Sequence, residues 1–172
     1  MNILETDRLS LRQMTPDDAE FILELMNDPT YIRFIGDKGV RTIADAVEYI
    51  IKTIIDSYHR NGYGLWLVVL KESKIPIGIC GLVKRDIFED ADLGYAFLAD
   101  HRGMGYACEA AAAVLGYGLG VLGFARILGM TVPENTASIH VLEKMGMKFE
   151  RMVKLQPTGP DLKCYKLEAK EI

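Results

Sequence analysis

The stretch HRGMGYACEAAAA, residues 101–113, sets two glycines in front of an alanine-rich run that favours a helix. A helix start presents backbone N–H groups without intrahelical partners and the positive end of the helix dipole, and together these attract anions, phosphates above all. Glycine at 103 and 105 removes side chains that would hold a diphosphate at a distance, and Arg102 adds a permanent positive charge beside it. Spacing excludes two other phosphate cradles. A dinucleotide fingerprint requires Gly or Ala where Cys108 stands, and an acid about 20 residues further on, where Gly123 and its neighbours offer none. A phosphate loop ending in Gly-Lys-Ser/Thr is absent.

Other reactive types are more scattered. Cys108, in the first turn of the expected helix, would have its thiol acidified by the dipole, and a covalent acyl-cysteine route follows on paper, but no histidine lies near it in sequence. His140 and Glu143 are three apart on a helix, two metal ligands without a third. The three cysteines, Cys80, Cys108 and Cys164, are widely spaced, so neither a disulfide framework nor a zinc site is expected, and no metal is. Asp92 closes the acidic run DIFEDAD, which either faces water or attracts a cationic amine through Glu89, Asp90 and Asp92.

The elements that would position these residues follow from periodicity and punctuation. Leu9 to Gln13 alternates as a strand, and Thr15-Pro16-Asp17-Asp18 supplies an N-cap, a first-turn proline and two acids for a helix that stops near Asn27-Asp28-Pro29. Thr42 caps the clearest amphipathic helix, with Ile43, Ala46, Val47, Ile50, Ile51, Ile54, Ile55 and Tyr58 on one stripe until Gly62. GLWLVVL, IPIGICGLV and DLGYAFLA read as an antiparallel meander. Then come a helix from about Met104 to Leu122, a strand RILGMTV, a helix from about Thr136 to Met145, and strands near Lys148 to Lys154 and Leu162 to Ala169. The strand, helix, strand passage from Asp92 to Val132 implies a parallel crossover in a mixed sheet, so the fold class is α/β, or α+β in a looser vocabulary. Gly116, Gly118, Gly120 and Gly123 each cost up to about 1 kcal/mol in a helix interior, which predicts that they let the helix approach the sheet closely.

Composition bounds the function. The chain of 172 residues, 49% hydrophobic and 26% charged with a net charge of -4, suits one soluble domain spanning residues 1–172 and gives nucleic acid no basic surface. Residues 110–125 carry no charge but fall short of the roughly 20 apolar residues that a bilayer requires. The charged N-terminal stretch MNILETDRLSLRQ is unlike a signal peptide. A cytoplasmic protein with no membrane partner is the expectation.

Arg102, Gly105 and Ala107 form R-x-x-G-x-A after a strand and before a long helix. With ETDRLSLRQMTPDDAE, GYACEA and PENTASIHVLEKMGMKFE, this resembles the GNAT acetyltransferase superfamily, and within it the RimJ/RimL-like enzymes that modify ribosomal-protein N-termini. The resemblance implies a mixed, mostly antiparallel sheet of about seven strands flanked by about four helices, with the fourth and fifth strands splayed. It implies acetyl-CoA as co-substrate, its diphosphate on the backbone of Gly103, Met104, Gly105, Tyr106 and Ala107 beside Arg102, and its pantetheine arm against Phe97, Leu98 and Asn135. Direct attack by a primary amine on the thioester is implied, with Asp92 as general base and Ser138 as proton donor to the thiolate. The tyrosine that many superfamily members place four residues before the helix-closing glycine is Leu142 here, a departure that RimJ/RimL-like sequences commonly share. That departure leaves a non-catalytic acyl-CoA-binding module as the alternative. The acceptor would be a protein α-amino group, a polyamine or an amine-bearing antibiotic, and the protein a monomer or homodimer.

Overall fold

In the computed structural model, which describes residues 1–171, the alternating apolar segments assemble one eight-stranded sheet. Its strands are β1 (Asn2–Glu5), β2 (Leu9–Arg12), β3 (Leu65–Leu70), β4 (Pro76–Val83), β5 (Asp92–Phe97), β6 (Arg126–Thr131), β7 (Lys148–Val153) and β8 (Leu162–Glu168). They lie in the order β1-β2-β3-β4-β5-β6-β8-β7, antiparallel throughout except where β5 meets β6. The mixed sheet, the meander β3-β4-β5 and the parallel crossover thus match expectation. The count is eight rather than seven because of β1. Its four residues, NILE, put two apolar side chains next to each other and alternate in neither type nor burial, so a period-two pattern does not expose it. The splayed pair of the resemblance is therefore β5 and β6 here.

Helices follow their caps. Asp28 is both stop and start: after α1 (Ala19–Met26), its carboxylate accepts from the N–H groups of Thr30 and Tyr31 and opens α2 (Pro29–Phe34). Thr42 and Asp45 form a capping box at the start of α3 (Ile43–Tyr49). A π-helical stretch, Ile50–Ile55, carries α3 into α4 (Asp56–Asn61), which ends on left-handed Gly62 at φ 78°. The stripe buried by this helix is Ala46, Ile50, Ile54 and Tyr58, while Ile43 and Ile51 are exposed. Those buried positions recur every fourth residue, slightly more than the 3.6 of an α-helix, so the stripe drifts around the helix. A π turn holds more residues and takes the drift back.

The helix after the glycine stretch, α5 (Tyr106–Gly116), begins two residues later than expected and continues as a π-helical turn, Tyr117–Val121. It packs on β4 and β5, and α6 (Thr136–Lys144) packs on β6. Among the described residues, no helix is long and apolar enough to cross a membrane.

The glycines of the α5 region divide in a way that their sequence spacing does not reveal. A Cβ on Gly118 would sit 2.6 Å from Ile127 Cδ1 and 3.1 Å from Leu82 Cδ1, so here the helix does lie hard against the sheet. At Gly116 and Gly120 a Cβ would meet nothing within 4 Å, and close approach is not their role. Gly116→Ala, in ordinary helical geometry at φ -58°, is expected to stabilise the protein by about 0.5–1 kcal/mol, a rise in Tm of a few degrees by differential scanning calorimetry. Gly118→Ala should lower Tm, because β-sheet side chains must move to admit the methyl.

Candidate active site

Two strands that begin as partners and then part create the site. β5 and β6 pair in parallel only at Asp92 with Leu128 and Leu93 with Gly129. Beyond that point β5 stays bonded to β4 as far as Phe97, and β6 stays bonded to β8 as far as Thr131. Each strand keeps its outer edge satisfied while the inner edges diverge into a fork. The Leu98 N–H donates to the Ile77 carbonyl at 3.0 Å. Alternation along an antiparallel pair then commits the backbone of residues 94 and 96 to β4 and turns that of Tyr95 and Phe97 into the fork.

A groove of about 560 Å³ runs from the fork to the start of α5. One wall is α2, with Thr30, Tyr31 and Phe34; the other is the head of α6, with Asn135 and Ser138. Of the residues implicated by sequence, Phe97, Arg102, Gly103, Gly105, Tyr106, Ala107, Asn135 and Ser138 line it. Leu98 and Met104 do not: Met104 stands between Gly103 and Gly105, which do, and Leu98 follows Phe97, the last residue of β5 on the groove. Gly103 and Gly105 adopt left-handed φ of 74° and 82°, which bends the backbone into the head of α5. A Cβ on Gly103 would meet nothing, so the space above this loop is open.

The loop is held from behind by residues 6–8, a feature that sequence spacing alone does not show. Glu109, in the first turn of α5, accepts from Thr6 Oγ1 at 2.5 Å, from the Arg8 N–H at 2.9 Å and from Arg8 Nε at 2.6 Å. Arg8 Nη1 donates to the Met104 carbonyl at 3.0 Å, and its guanidinium lies 4.4 Å from the centre of the Tyr106 ring. One arginine thus ties strand, loop and helix head together. Burial raises the Glu109 pKa, but the bonds from Thr6 and Arg8 outweigh it, and the carboxyl titrates below its ordinary range.

Arg102 is placed beside the expected diphosphate site, yet its guanidinium is engaged. Nη2 pairs with Asp28 Oδ1 at 2.8 Å, Nη1 donates to Thr30 Oγ1 at 3.2 Å, and Nε donates to the Phe97 carbonyl at 2.9 Å. Two residues that sequence assigns to the cofactor are therefore bonded to each other. Asn135 caps α6, its side chain accepting from the Ser138 N–H at 3.2 Å, while also lining the groove. The Ser138 hydroxyl lies 2.8 Å from the Tyr95 hydroxyl, a residue absent from the sequence-based set. Leu142 is buried in the core, packed over Gly129, rather than in the groove wall.

Asp92 stands at the foot of the fork, on the opposite face of β5 from Tyr95. It is 3% exposed, and Arg85 Nε meets its Oδ1 at 3.0 Å. Burial pushes its carboxyl up to about 6, against the pull of Arg85. Asp90 pairs with Arg126 at 2.9 Å, and Glu89 is the exposed member of the three acids. Cys108 and His140 line the groove, and no cluster of three metal-ligating side chains occurs among the described residues.

Residues 8–148 match the family model described as "Acetyltransferase (GNAT) domain". The chain is 32% identical over 153 residues to the uncharacterized N-acetyltransferase YoaA of Bacillus subtilis (strain 168), covering 88% of this chain and 86% of that protein. It superposes on an acetyltransferase (GNAT family) from Bacillus anthracis with a TM-score of 0.82 and 28% identity, covering 99% of both chains. The ribosomal-protein α-N-acetyltransferase RimL, solved in complex with coenzyme A, shares the fold at a TM-score of 0.81 and 16% identity over 98% of both chains.

The Glu109 brace has a pH signature. Because its folded pKa is depressed, its contribution to stability is complete above the unfolded value near 4.3 and is lost as pH falls through the folded one. Glu109→Gln is expected to lower Tm at pH 7 by a few degrees and to flatten the decline of Tm between about pH 5 and 3, as followed by circular dichroism.

Proposed function

Since the chain belongs to the GNAT acetyltransferase family, we propose that it is an acetyl-CoA-dependent N-acetyltransferase whose thioester lies in the β5/β6 fork and whose acceptor is a primary amine, such as a protein N-terminus. The observation that carries this reading is the two-pair limit on the parallel ladder, which leaves backbone of Tyr95 and Phe97 facing a gap wide enough to begin a groove. A pantetheine arm fits such an edge as an added strand, through amide hydrogen bonds. RimL, which shares this fold, was solved in complex with coenzyme A, and that supports a coenzyme A site in the fold. Backbone N–H groups of Gly103, Met104, Gly105, Tyr106 and Ala107 would hold the diphosphate at the head of α5. For Arg102 to join them, it must exchange Asp28 for phosphate oxygens and release the Phe97 carbonyl to a pantetheine N–H. Leu98, whose N–H is taken by Ile77 of β4, ends that edge, and Asn135 borders the arm from the other side.

A gap in a sheet opens on both faces, so the cofactor and the amine need not share an entrance. The cofactor occupies the groove on the α5 and α6 side, and the amine arrives from the face that carries Asp92. An amine is a nucleophile only when neutral. Asp92, pushed up to about 6, accepts the proton through water, and backbone N–H groups at the fork polarise the thioester carbonyl. Substrate class within the amines is set by that second face rather than by the groove. The Asp90 and Asp92 ion pairs with Arg126 and Arg85 reduce any general attraction of the acidic run for polycations. That favours a peptide N-terminus over a polyamine.

Calorimetric titration should show coenzyme A binding to the protein, and thiol release from acetyl-CoA should depend on added amine. The rate should rise about tenfold per pH unit up to about pH 6 and level off above it, since only the ionised carboxylate accepts a proton. Asp92→Asn is expected to remove that inflection and to lower the plateau roughly 10²-fold. Binding of coenzyme A without amine-dependent release across peptides, polyamines and aminoglycosides would identify a non-catalytic module instead.

A further inference from the structure

Leu142 occupies the position of the customary tyrosine and is buried against Gly129, so α6 offers no phenol to the groove. A phenol nevertheless reaches the same wall from the sheet. Tyr95, on β5, points its hydroxyl to Ser138 on α6, 2.8 Å from the serine hydroxyl and 3.1 Å from the serine carbonyl, and both residues line the groove at the fork. We propose that Tyr95 and Ser138 form one proton-donating unit for the departing coenzyme A thiolate, with Tyr95 holding and recharging the serine. This rests on the acetyltransferase reading above and names the donor within it.

The hydrogen count at the pair defines what each member does. Tyr95 has one proton and two acceptors in reach, the carbonyl and the hydroxyl oxygen of Ser138. When it donates to the carbonyl, the serine proton is turned toward the phenol oxygen and is not available to the groove. When it donates to the serine oxygen, the serine O–H is released to point at a third atom. The second arrangement suits the moment at which the amine nitrogen has bonded to the thioester carbon and the C–S bond breaks. The electron pair of that bond leaves on sulfur, the serine proton passes to it, and the tyrosine proton passes to the serine oxygen. Solvent returns a proton to the tyrosine as its own moves to the serine, so no phenolate persists at this buried site, and Asp92 releases to solvent the proton that it took from the amine, so thiol and amide form without any further reactant. Burial raises the Tyr95 pKa and the bond to Ser138 lowers it, with burial dominant, so the phenol holds its proton across the physiological range.

The pair also fixes geometry. Asn135 caps α6 by accepting the Ser138 N–H, which sets the serine one turn into the helix and in reach of β5. Tyr95 shares its sheet face with Leu93 and with Gly129, the face on which α6 packs. The donor therefore sits across from Asp92, and acid and base act from opposite faces of one strand.

The test uses full-length protein and the best amine from the release panel, comparing wild type with Tyr95→Phe, Ser138→Ala and the double variant. Coenzyme A affinity from calorimetry should stay within threefold in all of them, while kcat falls at least tenfold for Tyr95→Phe and for Ser138→Ala. The double variant should be no slower than about twofold below the worse single one, since members of one relay are not additive. Acetyl thioesters with a more acidic leaving thiol should shrink the kcat defect of both variants. The inference is overturned if Tyr95→Phe keeps kcat within twofold of wild type, if the two losses multiply, or if the defect ignores the leaving group. A wild type without amine-dependent release sinks the acetyltransferase reading as well, whereas an active wild type with an unaffected Tyr95→Phe sinks only this one.

Discussion

Two residue pairs of parallel ladder hold the functional half of this molecule in place. Asp92 with Leu128 and Leu93 with Gly129 join β5 to β6, and no further pairing follows. A longer ladder would zip the strands shut and remove the gap, and none at all would split the sheet into separate halves. The fork is stable because each strand retains a complete outer partner, β4 for β5 and β8 for β6. Bare inner edges are also what lets an extended ligand add itself as a strand.

Around the fork, charge is used mostly to fix position. Arg8 and Glu109 lash the glycine loop at the head of α5 to the start of β2, Arg102 and Asp28 lash its far side to the start of α2, and Arg85 neutralises Asp92 at the foot of the fork. The Arg8 and Arg102 pairs lie at the surface or half-buried, where the ion pair as such contributes little to global stability, whereas Asp92 is buried. Their effect is local, since a loop of left-handed glycines has no side chains with which to hold its own shape. The engaged state of Arg102 is a consequence of the same economy of charge. Its guanidinium is held by the Asp28 carboxylate, the Thr30 hydroxyl and the Phe97 carbonyl.

Relatedness sets the chemistry in broad terms, that of a GNAT acetyltransferase. The Bacillus subtilis relative and the Bacillus anthracis structure carry the family and the fold across nearly the whole chain. Beside the fork, α6 gives Leu142 to the core and Ser138 to the groove, where the serine hydroxyl meets the phenol of Tyr95 on β5.

The sequence by itself determined the elements with strong periodicity or punctuation: the meander, the capped helix ended by Gly62, the crossover, and the glycine loop at the head of α5. These are local properties, set by side-chain alternation, capping chemistry and the freedom of glycine within a few residues. It did not yield β1, whose four residues carry no period, nor the contrast between Gly118 and its neighbours, which depends on Leu82 and Ile127 across the interface. Tertiary structure alone decided which groups meet. Thr6 and Arg8 reach Glu109 across about a hundred residues, Arg102 bonds to Asp28 across more than seventy, and Tyr95 finds Ser138 across more than forty. No spacing rule spans such separations, because a hydrogen bond needs its partners within about 3 Å and only the closed sheet with its packed helices brings them there.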